Sequence, residues 1–121
     1  MQIKKLTEAE EVTIKAVWDC RNKPGLSEVT ERVNGTYGKN WKPQTVSSFL
    51  RKLVEKNYLE LQRNGKIYTY KVLIPESAYK RKAYKQHISF WNHNNVTEFL
   101  TEIIQNGDLT KEDLEKIGGS F

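Results

Sequence analysis

The sequence predicts a mainly α-helical chain interrupted by one small β-hairpin. Three observations predict it. Apolar residues recur at i, i+3, i+4, i+7 and i+8 in two separate stretches, Val46 to Val54 and Val96 to Ile104, as on one face of a helix. Between Leu59 and Val72 the period shortens to the alternation of strands. Asn64-Gly65, the strongest short hairpin signal, falls inside that alternating stretch.

Thr7-Glu8-Ala9-Glu10 has the spacing of a capping box and predicts a first helix from Glu8 to Cys20. Ala9, Val12, Ala16, Val17 and Cys20 fall on one face of it, with Trp18 at the margin. Arg21 to Gly25 breaks the helix. Ser27 is the expected N-cap of a second, shorter helix that carries Val29 and Val33 and fades at Asn34-Gly35. A polar link through Gly38-Lys39-Asn40 leads to Trp41, and Pro43 opens a third helix that runs to Lys56, since its missing N–H would be unpaired at the first helical position. Val46, Phe49, Leu50, Leu53 and Val54 form the buried stripe of that helix. Gln44, Ser48, Arg51 and Glu55 lie opposite, within about 60° of one another, flanked by Thr45 and Lys52 on one side and Ser47 on the other. Two strands follow, Leu59 to Gln62 and Ile67 to Val72, joined through Arg63-Asn64-Gly65-Lys66 in a turn expected to be type I′. Helix, helix, helix, strand, strand is the order of a winged helix-turn-helix domain, here residues 1–75.

Pro75 ends the hairpin and Glu76 opens a fourth helix to Trp91, in which Lys80, Arg81, Lys82 and Lys85 cluster. Asn92 to Asn95 breaks it. Val96, Phe99, Leu100, Ile103 and Ile104 then share a helix face, and Thr110 to Asp113 is a weaker capping pattern ahead of Leu114 and Ile117. So short a chain offers these side chains little to bury against. Residues 76–121 are therefore expected to form a helical dimerisation domain, with Val96, Phe99, Leu100, Ile103, Ile104, Leu114 and Ile117 meeting a second copy.

The 121 residues carry a net charge of +5, with 37% hydrophobic residues. The charge is unevenly spread: residues 39–85 hold twelve basic and three acidic groups, residues 86–121 two basic and six acidic. Such asymmetry speaks to partners more than to fold. No apolar run approaches a membrane span, and no apolar segment follows the lysines of the start, so the chain is expected to be neither membrane-bound nor exported. A lone cysteine, Cys20, fits a reducing cytoplasm and reads as a small core residue. There is no GxGxxG, phosphate loop, HExxH or nucleophile elbow, and His87 and His93 have no third ligand nearby. Neither an enzyme nor a metal or other cofactor is expected.

A basic middle on this order of elements points to double-stranded DNA. The third helix would enter the major groove, with Gln44, Thr45, Ser48 and Arg51 reading bases: Gln can pair with adenine, Arg with guanine, and Thr can touch a thymine methyl. Lys39, Lys42, Ser47, Lys52 and Lys71, with Arg63, Asn64 and Lys66 of the wing, are the candidate backbone contacts. Binding carried by such contacts is strongly salt-dependent. The alternative reading is a winged-helix adaptor or antirepressor whose basic surface binds an acidic protein.

Leu6-Thr7-Glu8-Ala9-Glu10 with Val12 and Val17-Trp18, Trp41-Lys42-Pro43-Gln44-Thr45-Val46, Leu53-Val54-Glu55-Lys56 and Asn64-Gly65-Lys66-Ile67-Tyr68-Thr69-Tyr70 closely resemble the penicillinase and methicillin-resistance repressor family of bacteria. The similarity extends through Asp108-Leu109-Thr110. The resemblance implies a dimeric winged-helix repressor that blocks transcription at a short inverted repeat. Lys42 stands where members usually have a capping Ser, so a cap is lost and a cation gained; Ser47 replaces a frequent basic residue, which implies a different operator. The β-lactam-responsive members are cut at an Asn-Phe bond in the dimerisation helix. Glu102-Ile103 stands there, so release by a sensor protease at that bond is not expected, and the inducing partner is left open. Copper-responsive relatives end in paired cysteines; none follows Cys20, and copper sensing is not expected.

Overall fold

Thr7 starts the first helix, α1 (Glu8–Asp19): its hydroxyl accepts from the Glu10 amide at 3.2 Å while its own amide donates to the Glu10 carboxylate at 2.8 Å. The computed structural model describes residues 2–120, so Met1 and Phe121 lie outside it. The buried face of α1 is rotated from the one the apolar pattern predicts. Ile14, Ala16 and Val17 are buried together with Thr13 and Glu10, whereas Ala9, Val12 and Cys20 are only half-buried. Polar residues can take the centre because their polar atoms are satisfied: the Thr13 hydroxyl donates to the Ala9 carbonyl at 2.8 Å, and the Glu10 carboxylate accepts from the Lys56 ammonium at 2.6 Å.

The second helix, α2 (Leu26–Tyr37), begins before Ser27, not after it. Gly25 is the N-cap, its amide donating to the Glu28 carboxylate at 3.3 Å. Nor does α2 end at Asn34-Gly35; a lone glycine costs a helix about 1 kcal/mol without stopping it. The stop comes at Gly38, where φ is +66° and the Lys39 amide reaches back to the Val33 carbonyl at 3.4 Å. The third helix, α3 (Pro43–Glu55), follows the prediction. Val46, Leu50 and Leu53 are fully buried against α1 and α2, and Phe49 and Val54 half-buried.

Strands β1 (Leu59–Asn64) and β2 (Ile67–Val72) pair antiparallel, Leu59 opposite Val72 and Asn64 opposite Ile67. The turn is therefore Gly65-Lys66 rather than Asn64-Gly65. Of its two central residues Gly65 alone has positive φ, +68°, the pattern of a type II′ turn and not the expected I′. The Tyr70 amide donates to the Pro24 carbonyl at 2.9 Å, which ties β2 to the loop before α2. Gly25 lies so close to this strand that a Cβ there would come within 3.3 Å of the Tyr68 carbonyl oxygen. Behind the hairpin, Tyr58, Leu59 and Ile74 complete the core with Val29 and Val33. The Tyr58 hydroxyl donates to the Lys4 carbonyl, and burial pushes its pKa up to about 12.

Three further helices follow, α4 (Glu76–Trp91), α5 (Val96–Gln105) and α6 (Lys111–Gly118). The chain divides into two compact units, Met1–Lys80 and Arg81–Phe121. Within the first, the opening turns of α4 are fastened to α1. Lys15 bridges Glu76 at 2.6 Å, the Tyr79 hydroxyl donates to Glu11, and the Trp18 indole donates to the Ile74 carbonyl at 3.0 Å. Within the second, Asn92 is buried at the end of α4 and donates to Glu102 at 2.9 Å, while His93 and Asn94 turn the chain with positive φ. Asn95 caps α5, and Thr110 with Asp113 forms a complete capping box on α6.

Candidate nucleic-acid interface

The start of α3 is fixed by a clamp. The Asn34 side chain donates to the Trp41 carbonyl and accepts from the Trp41 amide, both at 2.9 Å, so one residue of α2 holds both backbone polar groups of the residue two before Pro43. The Trp41 ring packs on Phe49 at 5.0 Å between centroids. Lys42, at the N-cap, makes no side-chain cap, and the Thr45 and Val46 amides close on its carbonyl instead.

Held in this way, α3 brings most of the candidate base-reading residues together. Gln44, Ser48 and Arg51 line a concavity of about 450 Å³ with Ser47, Pro43 and Leu26, and no acidic side chain lines it among the described residues. Thr45 is exposed on the flank, outside this hollow. On the helix margin two lysines lie over aromatic rings, Lys39 5.7 Å from Trp41 and Lys52 6.0 Å from Phe49. With the Trp41–Phe49 pair between them, they make a cationic and aromatic edge alongside the polar face.

The wing treats its candidates unequally. Lys66 stands exposed at the tip. Arg63 is folded back on the hairpin, its Nε donating to the Gly65 carbonyl at 2.7 Å and its guanidinium 5.5 Å from the Tyr68 ring. Asn64 and Arg63 border a second hollow with Asn22 and Lys23 of the α1–α2 loop. Lys71 sits directly opposite Glu60 in the strand register, so an anion must compete with a neighbouring carboxylate for it.

In the second unit no residue of α5 or α6 is buried. Val96, Leu100, Ile104, Leu114 and Ile117 are exposed, and Phe99 and Ile103 half-buried. The patch is wider than the sequence pattern implies. Phe90 and Trp91, 74% and 66% exposed, pack edge to face at 4.9 Å, and the His87 ring lies 5.6 Å from Phe99. Burial pushes the Cys20 thiol up, away from the thiolate a nucleophile needs.

Sequence reasoning missed Asn34 and Leu26. A clamp between residues seven apart leaves no periodic signal, and Leu26 belongs to the hollow only once Gly25 caps α2 two residues ahead of Ser27.

Three packed helices, a clamped third helix with a polar and basic face, and a hairpin beyond it define a winged helix-turn-helix protein. The chain belongs to the penicillinase repressor family, whose sequence model matches residues 6–119. It is similar to the methicillin resistance regulatory protein MecI of Staphylococcus aureus (strain N315), 24% identical over 79 residues that cover 65% of this chain and 64% of that protein. The match thus spans less than two thirds of the length of that relative. The penicillinase repressor of Bacillus licheniformis is 21% identical over 116 residues, 96% of this chain and 88% of the relative. Among solved structures, the monomeric form of Bacillus licheniformis BlaI in complex with the blaP half-operator matches with a TM-score of 0.53 and 27% identity, over 64% of this chain and 92% of that one. The family and these relatives are repressors and regulatory proteins rather than enzymes.

Proposed function

We propose that this chain is a homodimeric, sequence-specific DNA-binding transcriptional repressor that occupies an inverted-repeat operator in the bacterial cytoplasm and blocks transcription there. The observation that carries the reading is the face of α3. Gln44, Ser48 and Arg51 converge on one concave surface, with Lys39, Lys42 and Lys52 exposed on and just before the same helix, in a chain that matches a repressor in complex with its half-operator. In this reading residues 1–75 bind DNA. Helix α3 enters the major groove, Gln44, Thr45, Ser48 and Arg51 meet base edges, and Lys39, Lys42, Ser47 and Lys52 meet phosphates. The wing adds Asn64, Lys66 and Lys71 along the backbone, with Arg63 acting first to stiffen the turn. Residues 76–121 bring two copies together through the exposed apolar face of α5 and α6, and a two-fold axis through that contact would match the two-fold symmetry of the operator. Induction by cleavage at Glu102-Ile103 has no part in this reading, because that pair stands in place of the Asn-Phe bond.

Selection of bound sites from random duplex DNA tests the reading. The expected product is a palindrome with one or two helical turns between half-site centres, bound with an affinity that falls steeply as salt rises. No sequence-selective, salt-sensitive binding would overturn it and favour an acidic protein partner for the same surface.

A further inference from the structure

The hollow between α2 and α3 has an unusual lining for a surface that meets a polyanion. One wall is carbon, Leu26 from the first position of α2 and Pro43 from the first position of α3; Ser47 and Ser48 contribute short hydroxyl side chains, and Gln44 and Arg51 border it. Leucine and proline side chains offer a phosphate no hydrogen bond. Gln44 and Arg51 are seven residues apart on one helix face, which separates them by about 10 Å along the axis, close to three base-pair steps. Ser47 and Ser48 lie within that span, whereas Pro43 precedes Gln44, so the carbon wall faces a base edge beside the one that Gln44 addresses. Of the four bases, thymine alone presents a methyl group in the major groove, and its O4 acceptor lies next to that methyl. Cytosine presents a donor in the same region and no methyl. The serine hydroxyls both donate and accept and so suit either base, whereas an apolar wall beside them matches the methyl of the first pattern and nothing in the second.

We infer that the Leu26–Pro43 wall takes the 5-methyl group of a thymine beside the base addressed by Gln44, which makes Leu26, outside the recognition helix, a specificity-determining residue. The inference rests on the DNA-binding reading above and adds to it the base recognised at this hollow.

The test replaces each thymine of the selected half-site, one at a time, by deoxyuridine, which removes the methyl and leaves every hydrogen-bonding group. Binding is followed by fluorescence anisotropy. For the unaltered protein one uracil position is expected to weaken binding about fourfold, the value of one buried methyl-sized group. Leu26→Ala should bind thymine and uracil there alike, and Leu26→Met should keep the preference. If Leu26→Ala loses its helical circular-dichroism signal, Leu26→Val replaces it and should shrink the penalty. Uniform tolerance of uracil by the unaltered protein overturns the inference with no variant needed. So does a selected half-site without a thymine, or a uracil penalty undiminished in the shortened variants. Selective binding without a uracil penalty leaves the repressor reading standing; absence of selective binding removes both.

Discussion

At the scale of single residues, Glu10 shows how a charge can sit in the core and set a pH limit. Only 2% of it is exposed. Burial pushes its carboxyl up, but the Lys56 ammonium, the Thr7 amide and the Thr7 hydroxyl together hold it below the usual carboxylate value. A carboxyl lowered in the folded state contributes stability that is present above its unfolded value near 4.5 and is lost as pH falls through the folded value. Glu10→Gln keeps an acceptor for the cap and removes the charge. It should lower unfolding stability at pH 7 by about 1–3 kcal/mol and flatten the loss of stability below pH 4.5, both read from urea melts at several pH values. Arg51 and Lys66 separate two kinds of DNA contact. Arg51→Ala should cost about 1–3 kcal/mol on the selected site and little on random DNA, whereas Lys66→Ala should weaken every sequence alike and reduce the salt slope by about 1. Equal losses on both DNAs for both variants would defeat the assigned roles.

At the scale of elements, what positions α3 is its preceding turn more than its own sequence. Asn34→Ala leaves the Trp41 amide and carbonyl without their partner, and should cost about 1–3 kcal/mol in thermal unfolding and weaken selective binding more than random binding. Faster hydrogen exchange at the Trp41 amide would check that the turn is what loosens. The stripe of α3 and the capping patterns at Thr7 and Thr110 were legible because burial and capping repeat at fixed spacing along one helix. The buried face of α1 was not, because Glu10 and Thr13 are polar by type and become core residues only through partners as distant in sequence as Lys56. The hairpin was legible as a hairpin, but its register was not. Asn-Gly suits a type I′ turn locally, and the strands instead pair one residue further along, so that Gly65 takes the first central position. The candidate reading surface was found through the helical angle alone; its second wall came from α2, whose true start no local pattern marks.

At the scale of the whole molecule, the second unit carries its apolar side chains outward, with no buried residue in α5 or α6. Sedimentation at micromolar concentration should report a dimer. Leu100→Glu combined with Ile104→Glu should give a monomer that binds an isolated half-site as before and loses an order of magnitude or more on the full inverted repeat, since the two half-sites no longer share one ligand. The tryptophans are distributed in a way that makes such events visible without a label. Trp18 is held by the Ile74 carbonyl and the Tyr79 ring, Trp41 by the Asn34 clamp under Lys39, and Trp91 stands in the exposed patch of the second unit. Each indole thus has its own surroundings. Drawing Lys39 to a phosphate should change the emission of Trp41, self-association should shield Trp91 from iodide, and Trp18 should stay constant, so that single-tryptophan variants give separate optical channels for ligand capture, assembly and integrity of the fold.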